Sequence, residues 1–341
     1  MTIKTWAQKM TQAAVVVGSL SWGAQAFADN TSYILATATT GGTYYPVGVA
    51  LSTLTKVKLE PTHKFSLSAI SSAGSGENVK LLRENQAQFG ILMGLYGSWA
   101  WEGTGRLQNA GPQPHLRSVS MLWPNVEHFL VRNEFRKSGT LDDLKGLNEA
   151  SFSIGKRNSG TEGANRYILG QLGLQPEQSF NVTYLGYGAS ADALQNNNIQ
   201  GMNTSAGVPV SAVTRATAAM SDSVSLLEIS DQQLAQINQK YPLWSRYEIP
   251  ANTYPGQKQA VKTAAQPNFL AVRDDVDEEH VYKLTKTIYE NLPFLQNIHK
   301  ATKAMSLQQA IAGLPVPLHP GAARYYREQG IDIPDRLIAN Y

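Results

Sequence analysis

The amino-acid sequence predicts an α/β protein of two lobes, and three observations carry that expectation. Short apolar and β-branched runs are followed repeatedly by stretches of helical spacing, the pattern of a parallel sheet with crossover helices. Turns rich in glycine and hydroxyl side chains stand between the strands and the helices. The chain has 341 residues, enough for two cores of ordinary domain size.

The elements follow in order. Tyr33–Thr39 (YILATAT) reads as a strand, Gly41 and Gly42 break it, and Tyr44–Lys58 has helical spacing. Phe65–Ile70 alternates, Asn78–Glu84 reads as helix, and Phe89–Met93 and Leu116–Leu122 read as buried strands. The pattern then repeats. Phe152–Gly155, Val182–Tyr184, Gly201–Thr204 and Val224–Ile229 are strand-like, with helical stretches at Thr161–Leu172, Ala189–Asn196, Pro209–Ala219 and Asp231–Lys240. Phe129–Arg132 and Phe269–Arg273 are the runs expected to cross between lobes. The expected division is therefore 29–128 for the first lobe, 129–269 for the second, and 270–341 for a helix-rich return to the first.

Composition narrows the function. With 42% apolar and 16% charged residues the chain is no disordered polymer, and a net charge of +3 is too small for a nucleic-acid footprint. The absence of cysteine excludes disulfides, thiolate metal sites and cysteine nucleophiles. Residues 1–28 read as an export signal: Lys4 and Lys9 give a positive start, Ala13–Leu20 an apolar middle, and Ala26-Phe27-Ala28 a small-x-small cleavage site. Cleavage after Ala28 would leave 27 basic against 26 acidic residues, with no cysteine to carry a lipid. A free, nearly neutral protein outside the cytoplasm is expected.

The six histidines are scattered with no ligand spacing, and neither a Gly-x-Ser-x-Gly elbow nor a nucleotide P-loop occurs, so no metal, cofactor or enzyme reading is supported. The sequence instead carries four polar strand-to-helix turns, which in an open α/β sheet lie where ligands bind. In Thr39–Pro46, Thr43 is a possible helix cap and the first-turn amides favour an anion. In Ser71–Asn78, Ser75 is the expected cap and Asn78 is expected to reach back into a cleft. In Gly155–Glu162, Ser159 and Glu162 fit a capping box, while Arg157 offers a guanidinium fork for a carboxylate. Thr204–Pro209 adds hydroxyls, a glycine and a proline expected to start a helix. Donors that cradle an anion without a nucleophile describe binding, not turnover.

TTGGTYYPVG (39–48), GSGENVKLL (74–82), SGTEG (159–163), GVPVSAV (207–213), IPANTYPGQ (249–257) and PLHPGAARYYRE (317–328) together resemble the TAXI family, the solute receptors of tripartite ATP-independent periplasmic (TRAP) transporters. The resemblance implies a type II periplasmic-binding-protein fold, two lobes joined by hinge strands around a ligand cleft. It implies a periplasmic monomer that delivers a small dicarboxylate, or glutamate or glutamine, to a sodium-coupled permease. The receptor of an ABC-type importer or of a sensor kinase would use the same fold. Carried over motif by motif, the binding residues are Thr40, Gly41, Gly42, Thr43, Tyr45, Ser75, Asn78, Ser159, Gly160, Thr161, Gly207 and Pro209, to which the residue reading adds Arg157. The chain departs from the family at Met93-Gly94-Leu95-Tyr96, where an acidic residue is frequent, and at Ile199-Gln200-Gly201 in place of Ile-Asp-Ala. Glu77 and Glu162 are the only acids in the motifs that carry the binding residues, so a 2-oxoglutarate-like dicarboxylate without an amine is the expected ligand, ahead of glutamate.

Overall fold

The computed structural model describes residues 30–338, and the export segment 1–28 with its cleavage site lies outside them. The first half of the molecule contains β1 (Thr31–Ala36), α1 (Tyr44–Lys58), the single turn α2 (Glu60–His63), β2 (Phe65–Ile70), α3 (Ser75–Arg83), β3 (Phe89–Met93) and α4 (Gly94–Glu102). Strand β4 (Leu116–Arg132) runs into the second half. That half holds β5 (Ser151–Ser153), α5 (Gly160–Gln171), the turn α6 (Pro176–Ser179), β6 (Asn181–Thr183), α7 (Tyr187–Gln195), β7 (Gly201–Ala206), α8 (Ser211–Ala219), β8 (Val224–Leu226), α9 (Asp231–Ile237) and β9 (Ser245–Ile249). Strand β10 (Val261–Arg273) runs back, followed by α10 (Glu278–Glu290), α11 (Leu292–Ile298) and α12 (Pro320–Glu328).

The sheet order β2-β1-β3-β10-β4-β7-β5-β6 joins two parallel blocks through two long antiparallel strands. β10 is antiparallel to β3 and β4, and β4 is antiparallel to β7, so the sheet is mixed rather than wholly parallel. Leu116–Leu122 and Phe129–Arg132, which read as separate runs, are one continuous strand. Pro124 and Pro267 face each other midway along the β4–β10 pair, where each removes a ladder donor.

Local chemistry explains the elements. β3 (FGILM) is buried throughout, covered by α3, whose Leu82 approaches Gly90 closely. α1 ends with Lys56 and Lys58, cations that complement the negative end of the helix dipole. α10 begins with Asp277 accepting the His280 amide at 3.0 Å. The C-terminal helices pack onto the first half: Tyr33 hydroxyl meets His280 Nδ1 at 2.9 Å, and Tyr326 hydroxyl donates to the Val119 carbonyl at 2.9 Å. A second apolar cluster, including Leu130, Leu194, Met202 and Val213, lies beneath α7 and α8.

Candidate functional site

The four polar turns converge on a small cavity of about 30 Å³ between the two halves. The first half contributes Thr39, Gly42, Thr43, Tyr44, Ser75 and Met93, and the second Lys156, Ser159, Gly160, Thr161, Tyr187 and Ser205. The halves are in contact around it. Thr43 Oγ1 donates to the Gly207 carbonyl at 3.3 Å and accepts from the Gly207 amide at 3.2 Å. The Glu77 amide donates to the Asn158 carbonyl at 3.0 Å, Tyr96 hydroxyl to the Ser159 carbonyl at 3.3 Å, and Ser211 Oγ to the Gly41 carbonyl at 3.0 Å. Arg106 pairs with Glu162 across the gap at 3.5 Å.

Several expected roles are filled differently. Thr43 occupies the N-cap of α1 without a side-chain capping bond, because its hydroxyl is used on Gly207 across the cleft. Gly74, not Ser75, is the N-cap of α3: its φ of 120° suits glycine, and Ser75 is the first helical residue, accepting the Met93 amide at 3.1 Å. Asn78 does not reach the cavity. Its amide group donates to the carbonyls of Ala36, Thr37 and Ile91 and its oxygen accepts from Ser72, so it ties α3 to β1 and β3. Pro209 does not start a helix; it follows a cis peptide bond and precedes the N-cap Val210 of α8.

The remaining expected residues divide clearly. Ser159 caps α5 by accepting the Glu162 amide at 3.0 Å, while the Glu162 carboxylate accepts the Asn158 amide at 2.7 Å rather than closing the box on Ser159. Thr40 and Gly41 line an adjoining open cleft with Ser211 and Arg215. Tyr45 is half-buried and does not line the cavity. Arg157 is exposed, its guanidinium 3.6 Å from the centre of the Tyr184 ring, so cation–π stacking takes the fork away from the cavity. Lys156, its neighbour, is the cavity's one lining cation among the described residues.

Tyr187, Ser205, Met93 and Lys156 were not singled out by the sequence. Gly186-Tyr187 repeats the strand–glycine–helix signal of the other turns and could have been found that way. Behind Ser205 lies a buried acid that no motif contains. Glu127 on β4 accepts from Ser205 Oγ at 2.6 Å, Asn203 Nδ2 at 2.9 Å and Trp244 Nε1 at 3.2 Å. Burial pushes its pKa up, and these donors oppose the shift. Burial likewise raises the Tyr44 and Tyr187 phenols, with the Glu127 charge adding to the effect, so both stay protonated donors.

A family model described as the NMT1-like family matches residues 35–330. The chain belongs to the NMT1-like family. Solved structures share its fold at low identity. MatC from Rhodopseudomonas palustris with bound malate matches with a TM-score of 0.55 and 13% identity, over 87% of this chain and 98% of that one. PhnD1 from Prochlorococcus marinus in complex with methylphosphonate matches with a TM-score of 0.55 and 13% identity, over 89% and 99%. The periplasmic binding protein BugD matches with a TM-score of 0.50 and 14% identity, over 88% and 93%. This NMT1-like protein therefore has a periplasmic-binding-protein fold, and its cavity lies between the two sheet halves.

Proposed function

We propose that this protein is a solute-binding protein that works outside the cytoplasm, closes on a small carboxylate and delivers it unaltered to a membrane importer. The observation that carries the reading is the interlobe cavity, lined by the starts of α1, α3 and α5 together with hydroxyl side chains. Helix starts present amides without intrahelical partners, and their dipole ends favour an anion. The neighbours described with bound malate and methylphosphonate support an anionic solute. Among the described residues no group of three His, Asp or Glu side chains is arranged for a metal.

The lobes are read as 29–128 with 270–341 against 129–269, hinged on β4 and β10. The family match and the structural neighbours support the general binding-protein kind. The receptor of an ABC-type importer and the TRAP receptor that the motifs resemble share this fold, and both would hand the solute to a membrane permease. Within the cleft, Gly42, Thr43, Ser75, Ser159, Gly160 and Thr161 are retained as binding residues, while Gly207 holds Thr43 across the gap. Native mass spectrometry of the purified mature protein tests the reading: a small acid retained under mild ionisation and lost on unfolding is expected. A protein that comes out empty and binds no small acid in calorimetry overturns it.

A further inference from the structure

We propose that Glu127, acting through the Ser205 hydroxyl, makes the floor of the cleft a hydrogen-bond-accepting surface that selects carboxylates carrying an N–H or O–H donor. The inference rests on the receptor reading of this cleft and narrows its ligand.

The argument is proton bookkeeping. A hydroxyl has one proton to donate and two lone pairs. In this cavity Ser205 Oγ gives its proton to Glu127 Oε2 at 2.6 Å, and Tyr187 hydroxyl gives its own to the Ser205 carbonyl at 2.7 Å. Thr161 Oγ1 lies 2.5 Å from the Tyr187 hydroxyl, so with the tyrosine proton committed Thr161 is the donor in that contact. Tyr44 hydroxyl donates to Asn268 Oδ1 at 2.5 Å, and Thr43 Oγ1 to the Gly207 carbonyl. Five of the eight hydroxyls that line the cavity thus direct their protons into the protein, Thr39, Ser75 and Ser159 being the others. At the floor, Ser205 offers a ligand its lone pairs.

Glu127 sets this polarity. It is buried to 1% exposure, and the groups its carboxyl meets, Ser205, Asn203, Trp244 and Gln266, can all donate to it, an environment that suits a hydrogen-bond acceptor. None of these groups is a cation, so no ion pair holds the carboxyl, and the donors around it leave it the accepting partner of the Ser205 hydroxyl. The amides that begin α1 and α5, with Lys156, keep the donor role toward the ligand's carboxylate. The cavity therefore has a donor side and an acceptor side. The sequence expectation of an amine-free acid came from finding only Glu77 and Glu162 in the turn motifs; the acid behind the floor stands on a strand, 78 residues before Ser205.

Calorimetry with two probe pairs tests this: glutamate against 2-oxoglutarate, and malate against succinate. Each pair differs by one donor-bearing group. For the wild type, the donor-bearing member of a pair that binds is expected to bind at least about tenfold tighter. In Ser205→Ala and Glu127→Gln that ratio should fall below about threefold, with folding checked by melting temperature. Equal or tighter binding of the donor-free member, or a ratio unchanged in both variants, overturns the inference while leaving the receptor reading intact. If none of the four probes binds the wild type, the carboxylate-receptor reading falls and the inference with it. Should Glu127→Gln not fold, Ser205→Ala decides alone.

Discussion

At Ser75 one hydroxyl serves both the fold and the cavity. It is 1% exposed, accepts the Met93 amide and lines the cleft. Ser75→Ala should therefore weaken solute binding about tenfold and also cost about 1–2 kcal/mol of stability, since a buried amide loses its acceptor. Calorimetry and chemical denaturation on the same preparation check both. Arg157 behaves differently: stacked on Tyr184 and exposed, it should tolerate Arg157→Ala with affinity changed less than about twofold, and a larger loss would place the guanidinium in the cleft. Two histidines give a pH prediction. Burial lowers His128 and His319 to about 4, against ~6.5 in an unfolded chain. Below that value the unfolded state takes up protons that the folded state refuses, so stability is full above pH ~6.5 and is lost as pH falls toward ~4. Each contributes roughly 3 kcal/mol to the loss. His319 accepts the Gly321 amide at the start of α12, a role asparagine can keep, so His319→Asn should show a smaller fall in melting temperature between pH 7 and pH 4.5 than the wild type.

Between elements, the contact of the two halves depends on two helix faces that carry no side chain. A Cβ at Gly76 of α3 would lie 2.5 Å from the Asn158 carbonyl oxygen in the opposite half, and one at Gly163 of α5 would lie 2.5 Å from the Tyr96 ring. Neither glycine has a positive φ, so alanine fits both helices and improves their propensity by about 1 kcal/mol. Gly76→Ala is thus expected to weaken binding at least about tenfold, because its Cβ meets Asn158 where the halves touch. A 3.2 Å approach to the Tyr96 ring in the same half offsets the gain in helix propensity and keeps the melting temperature of the solute-free protein near the wild-type value. Unchanged affinity would show that closure does not bring α3 against Asn158. The same logic explains why α3 begins at Ser75 and not at Asn78: Gly74 in a left-handed conformation turns the chain, and Asn78 anchors the helix to strand carbonyls.

For the molecule as a whole, two parallel blocks meet through β4 and β10, and Pro124 faces Pro267 where the blocks join. Each proline removes a ladder donor there, and the receptor reading places its hinge at this stretch. Receptor function needs a solute that binds the closed state better than the open one. Small-angle scattering should accordingly show the radius of gyration falling on addition of a bound acid, and Gly76→Ala should blunt the fall. An unchanged radius with proven binding would mean that the halves do not move.

Local periodicity determined much of this protein. Tyr44–Lys58, Phe65–Ile70 and Phe89–Met93 are elements with the bounds their patterns predict, because apolar spacing and breaking glycines act within a few residues. The gathering of polar turns at strand ends was legible for the same reason, and six of the expected residues line one cavity. α4 and β9 went unread: two glycines dilute the helical signal of Gly94–Glu102, and Ser245–Ile249 is a strand by virtue of pairing with β10. Only the tertiary structure decided what each hydroxyl does. Thr43 turns from a cap to an interlobe contact, Asn78 from the cleft to the strands, and Glu127 from an unremarked strand residue to the acid behind the floor. A hydroxyl proton goes to whichever acceptor folding places within about 3 Å, and these acceptors come from segments far apart along the chain.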